Sequence, residues 1–254
     1  MSVNLGIVMD PIAGINVKKD TTLAMMLAAQ ERGWTLSYME QKDLYIDQGT
    51  AYARVRPATV RDDPRDWYTL GERSTIELAS LDAVLMRKDP PFDMEFVYTT
   101  YILERAEAAG CLIVNKPQSL RDANEKMYTS WFSQCCPPTM VTRERDLILD
   151  FVEQHQEAII KPLDGMGGAS IFRMTAGHPN TNVTIETLTA HGARYAMIQK
   201  YIPEIRNGDK RVLLVDGEPV PYALARVPSS DDARGNLAAG ATGEGRPLTD
   251  RDRW

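Results

Sequence analysis

Ile159-Ile160-Lys161-Pro162-Leu163-Asp164-Gly165-Met166-Gly167-Gly168-Ala169-Ser170 is the stretch that decides the fold. An apolar run, Ala158–Leu163, reads as a strand; glycines follow, and Ser170–Met174 reads as a second strand directly after them. Closely spaced glycines let backbone N–H groups turn towards an anion, and the neighbouring Lys161 adds a full charge. A Walker A loop is excluded, because no lysine follows Gly168. A dinucleotide fingerprint is excluded as well, since it needs a glycine at Ser170 and must open a helix. What is left is a glycine turn between two strands, either a plain surface hairpin or a flap able to close over a triphosphate.

Residues around this turn widen the site. Lys126, read on a helix that starts near Ser119 and runs to about Gln134, can bring a second amine to the same phosphates. Gln199-Lys200-Tyr201-Ile202 is a strand end whose groups suit an adenine edge. Asp209, after Asn207-Gly208, can accept from ribose hydroxyls. Arg211, Arg226 and Arg234 form a cluster for carboxylates and phosphates if they meet in one cleft, because guanidinium binds both bidentately. Each of these residues also has an ordinary reading as a surface charge, a plain strand or a turn.

The grammar of the flanks differs on the two sides. The first half alternates: strand Asn4–Met9, helix Thr21–Arg32 stopped at Gly33, strand Trp34–Met39, and a hairpin over Tyr45–Pro57. Strand Ala83–Met86, a helix from Asp93 to Ala109 and strand Leu112–Asn115 complete a doubly wound α/β pattern. From Ser119 onwards the pattern is α+β with antiparallel pairing. Ser119 and Asp122 offer a variant capping box, and Thr142 is expected to cap a helix over Arg143–Gln156. Strands follow at Arg194–Tyr201 and Lys210–Val215, and Asp216-Gly217 turns the chain into Pro221–Val227. Pro228–Thr242 is a long polar segment suited to a mobile loop.

Composition limits the function. The chain has 254 residues, 43% hydrophobic and 25% charged, which suits an ordinary globular protein of one large domain or a few small ones. A net charge of −6 argues against binding duplex nucleic acid. No apolar run reaches the roughly 20 residues that span a bilayer, and Leu5–Met9 is too short for a secretory core, so a cytoplasmic location is expected. Three cysteines, two of them the adjacent Cys135 and Cys136, make no disulfide framework, and the three histidines have no zinc spacing.

Several motifs together resemble bacterial glutathione synthetase, a member of the ATP-grasp superfamily. They are Asp10-Pro11-Ile12, Met86-Arg87-Lys88-Asp89-Pro90-Pro91-Phe92-Asp93, Asn115-Lys116-Pro117-Gln118-Ser119-Leu120-Arg121-Asp122 and Lys161–Gly168. Asp209-Lys210-Arg211-Val212, Asp216-Gly217-Glu218-Pro219-Val220-Pro221 and Arg234-Gly235-Asn236-Leu237-Ala238-Ala239-Gly240 belong to the same set, so the resemblance covers nearly the whole chain.

The resemblance implies an ATP-grasp architecture: an N-terminal doubly wound α/β domain (1–122), a central lid domain (123–200) and an incomplete C-terminal catalytic domain (201–254). It implies ATP with magnesium or manganese as cofactors, and ligation of glycine to γ-glutamylcysteine in a cytoplasmic homo-oligomer. Lys126 and Lys161 would hold phosphates, and Gly165, Met166, Gly167 and Gly168 would form the flap. Gln199, Tyr201 and Ile202 would border adenine, and Asp209 the ribose. Arg211, Arg226 and Arg234 would serve the acyl phosphate and substrate carboxylates, under a closing loop from Val227 to Thr242. Members of the family continue beyond the position of Trp254, so a truncated chain is expected, with its magnesium ligands beyond that point and an unpaired sheet edge after Val227. The readings that compete with the ligase are a nucleotide- or peptide-binding module without catalysis, and an ATP-grasp ligase for another carboxylate.

Overall fold

The computed structural model describes residues 2–88, 91–165, 168–229 and 240–254. The chain divides into two units, residues 1–124 and 125–254. The first holds β1 (Asn4–Val8), α1 (Thr21–Glu31), β2 (Thr35–Met39), β3 (Leu44–Asp47), β4 (Thr50–Val60), β5 (Tyr68–Leu70) and β6 (Ser74–Glu77). It continues with β7 (Ala83–Met86), α2 (Met94–Ala108), β8 (Leu112–Val114) and α3 (Pro117–Asp122).

Strands β2, β1, β7 and β8 lie side by side and parallel. The pleat of β1 sends Leu5 and Ile7 to one face, where Leu23 and Met26 of α1 cover them. Val8 goes to the other face, with Phe96 and Leu103 of α2. Helices on opposite faces of a parallel core make the doubly wound plan read from the sequence. Both helices start on a side-chain cap: Asp20 accepts from Leu23 N–H at 2.7 Å, and Asp93 from Phe96 N–H at 2.9 Å. Gly33, at φ +74°, follows α1 in the left-handed conformation that ends a helix. The long β4 then pairs antiparallel with β2, β3, β5 and β6, adding strands that the polar sequence between the hairpin and β7 did not announce.

The second unit contains β9 (Thr139–Thr142), α4 (Arg145–His155), β10 (Glu157–Pro162), β11 (Phe172–Thr175), α5 (Thr181–Thr189) and β12 (Ala196–Lys200). Then come β13 (Asp209–Arg211), β14 (Leu214–Val215), β15 (Glu218–Pro219), β16 (Tyr222–Val227), β17 (Thr242–Pro247) and α6 (Asp250–Arg253). One antiparallel sheet runs β11-β10-β12-β9; Ala158, Ile160 and Ile198 on one of its faces pack against Ile148 and Phe151 of α4 and Ile185 of α5. A second antiparallel sheet runs β13-β16-β17.

Several elements differ from what the sequence predicts. The helix from Ser119 to Gln134 is broken. Pro117 sets the first turn of α3, so Ser119 lies inside it and is no cap; Ala123, at φ −108° and ψ 65°, leaves the helix. A separate 3-10 helix, Met127–Cys135, follows, and Lys126 stands just before it. Thr142 ends β9 and accepts from Glu144 N–H at 3.0 Å, while α4 begins only at Arg145. Lys210–Val215 is not one strand: β13 and β14 belong to different sheets, and the Asp216-Gly217 turn closes the small β14–β15 hairpin. Both turn residues have positive φ, 51° and 81°, the backbone signature of a tight hairpin turn. After Val227 the chain adds β17, which pairs with β16 from Tyr222 to Val227, so among the described residues the edge strands of this sheet are β13 and β17. Of the mobile-loop reading, residues 230–239 lie outside the described residues.

Candidate functional site

Lys161 sits on β10 with Ile159, on the face opposite the packed core; the cross-strand partner of Ile159 is Gln199, and that of Gln199 is Thr139. Three neighbouring strands thus place three polar side chains in a row. Lys161 Nζ donates to Gln199 Oε1 at 2.7 Å, Gln199 Nε2 donates to Thr139 Oγ1 at 2.9 Å, and Thr139 Oγ1 donates to the Pro137 carbonyl at 2.7 Å. Burial pulls the Lys161 ammonium below the ordinary lysine range, and the positive charge of Lys126 adds to the effect. A cation held half-buried beside another cation is a site that favours an anion.

The second cation reaches in from the turn before the 3-10 helix. Lys126 Nζ donates to the carbonyl of Gly165 at 2.8 Å and to that of Leu163 at 3.4 Å, and pairs with Glu125 at 2.9 Å. Strands β10 and β11 are antiparallel, with Ile160 opposite Phe172, so the glycine turn joins a true hairpin as read from the sequence. Gly165 and Gly168 take φ of +82° and +80°, a region that side chains disfavour. Met166 and Gly167 lie outside the described residues.

Gln199 spends its amide on Lys161 and Thr139. Tyr201 is buried, with the Arg173 guanidinium 4.1 Å from its ring centre, and Ile202 is exposed just after β12. Asp209 and Arg226 are cross-strand partners on β13 and β16, joined by two N–H···O bonds, and this pairing holds the Arg226 guanidinium above its ordinary pKa. Arg211 follows two residues later on the same face of β13 and is exposed. Arg234 lies outside the described residues. The described residues therefore form two groups, Lys126–Lys161–Gln199 at the glycine turn and Asp209–Arg226 on the second sheet. Thr139 and Arg173 were missed in the sequence; β9, TMVT, is short, follows two prolines directly and carries no polar-apolar alternation to announce Thr139.

In the first unit the carboxyl ends of β1, β2 and β7 border two open cavities. One, of about 440 Å³, is lined by Asp10, Glu40, Lys42, Lys88 and Tyr98; the other, of about 450 Å³, by Pro11, Lys19, Thr21 and Arg87. Lys88 pairs with Asp10 at 2.8 Å. In an open α/β sheet, ligands bind at the carboxyl ends of the strands where the strand order reverses, here between β1 and β7, and this place is built by two motifs singled out in the sequence.

Residues 125–254 match the model of the prokaryotic glutathione synthetase ATP-grasp domain, and residues 3–121 the model of the N-terminal domain of the same family. The chain belongs to the prokaryotic glutathione synthetases. Glutathione synthetase of Pseudomonas syringae pv. tomato is 62% identical over 254 residues, which cover 100% of this chain and 80% of that protein. The Escherichia coli O127:H6 glutathione synthetase is 60% identical over 250 residues, 98% of this chain and 79% of that protein. Among solved structures, the D-cycloserine synthetase DcsG superposes with a TM-score of 0.64 at 14% identity, covering 98% of this chain and 77% of DcsG. D-alanyl-alanine synthetase A from Vibrio cholerae gives 0.55 at 9% identity, over 99% and 77% of the two chains. At these identities the structural likeness speaks for the fold alone, and the fold is that of ATP-grasp ligases. As a glutathione synthetase by family, the chain is an ATP-dependent ligase. Among the described residues no three His, Cys, Asp or Glu side chains come together as a metal site, and no helix is long and apolar enough to cross a membrane.

Proposed function

We propose that this chain uses ATP to join glycine to γ-glutamylcysteine through an acyl phosphate, making glutathione. The observation that carries the reading is the meeting of two ammonium groups at a glycine turn: Lys126 bonds to the Gly165 carbonyl, and its charge helps to depress the pKa of Lys161 on the adjoining strand. A polyanion between them relieves that repulsion. Lys126 and Lys161 then hold phosphates, Gly165 and Gly168 of the glycine turn serve the same phosphates, and Gln199, Tyr201 and Ile202 border adenine, with Asp209 on the ribose side. Arg211, Arg226 and Arg234 serve the substrate carboxylate and the acyl phosphate. Asp209 would also keep the Arg226 fork in plane, an arrangement that suits bidentate binding of an oxyanion. On this reading the second unit divides near residue 200 into a lid and a catalytic part.

The chemistry follows from charge and leaving group. A carboxylate is a poor electrophile. Its oxygen attacks the γ-phosphorus of ATP, ADP departs, and the carboxyl carbon now carries phosphate as a leaving group. The glycine nitrogen attacks that carbon, phosphate leaves, and the nitrogen loses a proton as the amide forms. The protein has no covalent part to play; it positions the reactants, offsets phosphate charge and excludes water from a hydrolysable intermediate. Magnesium or manganese is the metal this reading implies; among the described residues no three His, Cys, Asp or Glu side chains assemble as a ligand set for it. A cytoplasmic homo-oligomer is part of the same proposal, supported by the family resemblance.

The test is release of phosphate with each substrate omitted in turn. Release that requires ATP, γ-glutamylcysteine and glycine together supports the reading. ATP binding without any turnover favours a binding module, and turnover with a different carboxylate favours another ligase.

A further inference from the structure

Lys161, Gln199, Thr139 and the Pro137 carbonyl form a hydrogen-bond chain whose direction is set at its far end. The Pro137 carbonyl can only accept, so the Thr139 hydroxyl must donate its single proton there, at 2.7 Å. Its lone pairs are then left for the Gln199 amide nitrogen, at 2.9 Å. A glutamine amide is nearly symmetric in shape, and its partners alone decide which end faces which way. With Nε2 drawn to Thr139, Oε1 is turned to Lys161, at 2.7 Å. The reversed amide would set two N–H donors against an ammonium that already feels burial and the charge of Lys126.

We propose that Thr139 is a positioning residue for nucleotide binding: through its bond to the Pro137 carbonyl it orients the Gln199 amide, and that amide holds the Lys161 ammonium in place for phosphate. The inference rests on the nucleotide reading of Lys161 given above. It assigns a task to a residue that touches no substrate, and it gives Gln199 a duty towards phosphate in addition to adenine. Packing alone does not require a hydroxyl on this face of β9, because valine has the same shape and a strong strand preference.

The test titrates the full chain with ATP in magnesium buffer and compares variants. Thr139→Val is expected to weaken ATP binding about tenfold, the scale of one misdirected hydrogen bond, and Thr139→Ser to restore it to within about twofold. Gln199→Glu presents oxygen at both ends, so in that background Thr139→Val is expected to cost less than about twofold. An equal loss in both backgrounds marks a merely structural role and overturns the proposal, as does undiminished binding by Thr139→Val alone. Lys161→Met separates the two layers. If it binds ATP like the parent, the nucleotide reading falls and the relay with it; if it binds weakly while Thr139→Val binds normally, only the relay falls.

Discussion

Arg226 holds Asp209 through two N–H···O bonds across the β13–β16 pair, Nε to Oδ1 at 2.8 Å and a terminal nitrogen to Oδ2. The arginine is largely buried and the aspartate partly exposed. Solvent therefore screens the pair only in part, and a double-mutant cycle over Arg226→Met and Asp209→Asn is expected to give a coupling of about 1 kcal/mol. Urea unfolding of the four proteins measures it. A coupling near zero would mean that the two side chains are independent in solution.

Lys161 links the candidate site to stability through pH. Burial and the neighbouring Lys126 lower its folded pKa below the unfolded one, so between the two values the unfolded chain binds more protons and stability rises with pH. Below both values the buried charge opposes folding. Lys161→Met is therefore expected to melt at a higher temperature than the parent without nucleotide at neutral pH. The difference should shrink as the pH approaches the ordinary lysine value of about 10.4. Thermal melts across that range check the sign; a variant that melts lower at neutral pH would contradict it.

Gly6 on β1 has no room for a methyl group, since a Cβ there would stand 2.7 Å from Leu81 Cδ1 and 3.0 Å from Val84 Cγ2. Gly6→Ala is expected to destabilise the first unit by about 1–3 kcal/mol, the usual range for overpacking. Chemical denaturation gives the figure, and a loss below a few tenths would show that the core yields freely.

The thiols should react in a fixed order. Cys111 is buried, and desolvation pushes its pKa up to about 11, whereas Cys135 is exposed. Brief alkylation near neutral pH, read by mass spectrometry, is expected to label Cys135 first and Cys111 only on unfolding. Early labelling of Cys111 would place it at the surface.

Much of the fold was legible because local signals agreed with each other. Gly33 and Asp93 marked helix boundaries, and Ile159–Lys161 with the glycines marked the hairpin and one amine of the candidate site. Other elements carry no such signal. The α5 sequence, TNVTIETLT, is rich in threonine, a poor helix former; in the structure Thr184, Thr187 and Thr189 bond back to carbonyls four residues earlier. The β17 sequence, TGEGRP, has no apolar alternation and becomes a strand by pairing with β16. The partners of Gln199 are 38 and 60 residues away, and only the order of strands in the sheet brings Lys161 and Thr139 to its two ends. Local pattern reveals a charged residue near a turn; it does not reveal what holds that charge in place.

Equilibrium titration of the parent and Lys161→Ala with ATP decides whether the Lys161 ammonium grips the nucleotide phosphates at the glycine turn. The expected result is saturable binding by the parent and a loss of about 1–3 kcal/mol in the variant, the scale of one charge-assisted hydrogen bond. Equal affinity of the two proteins for ATP would contradict it.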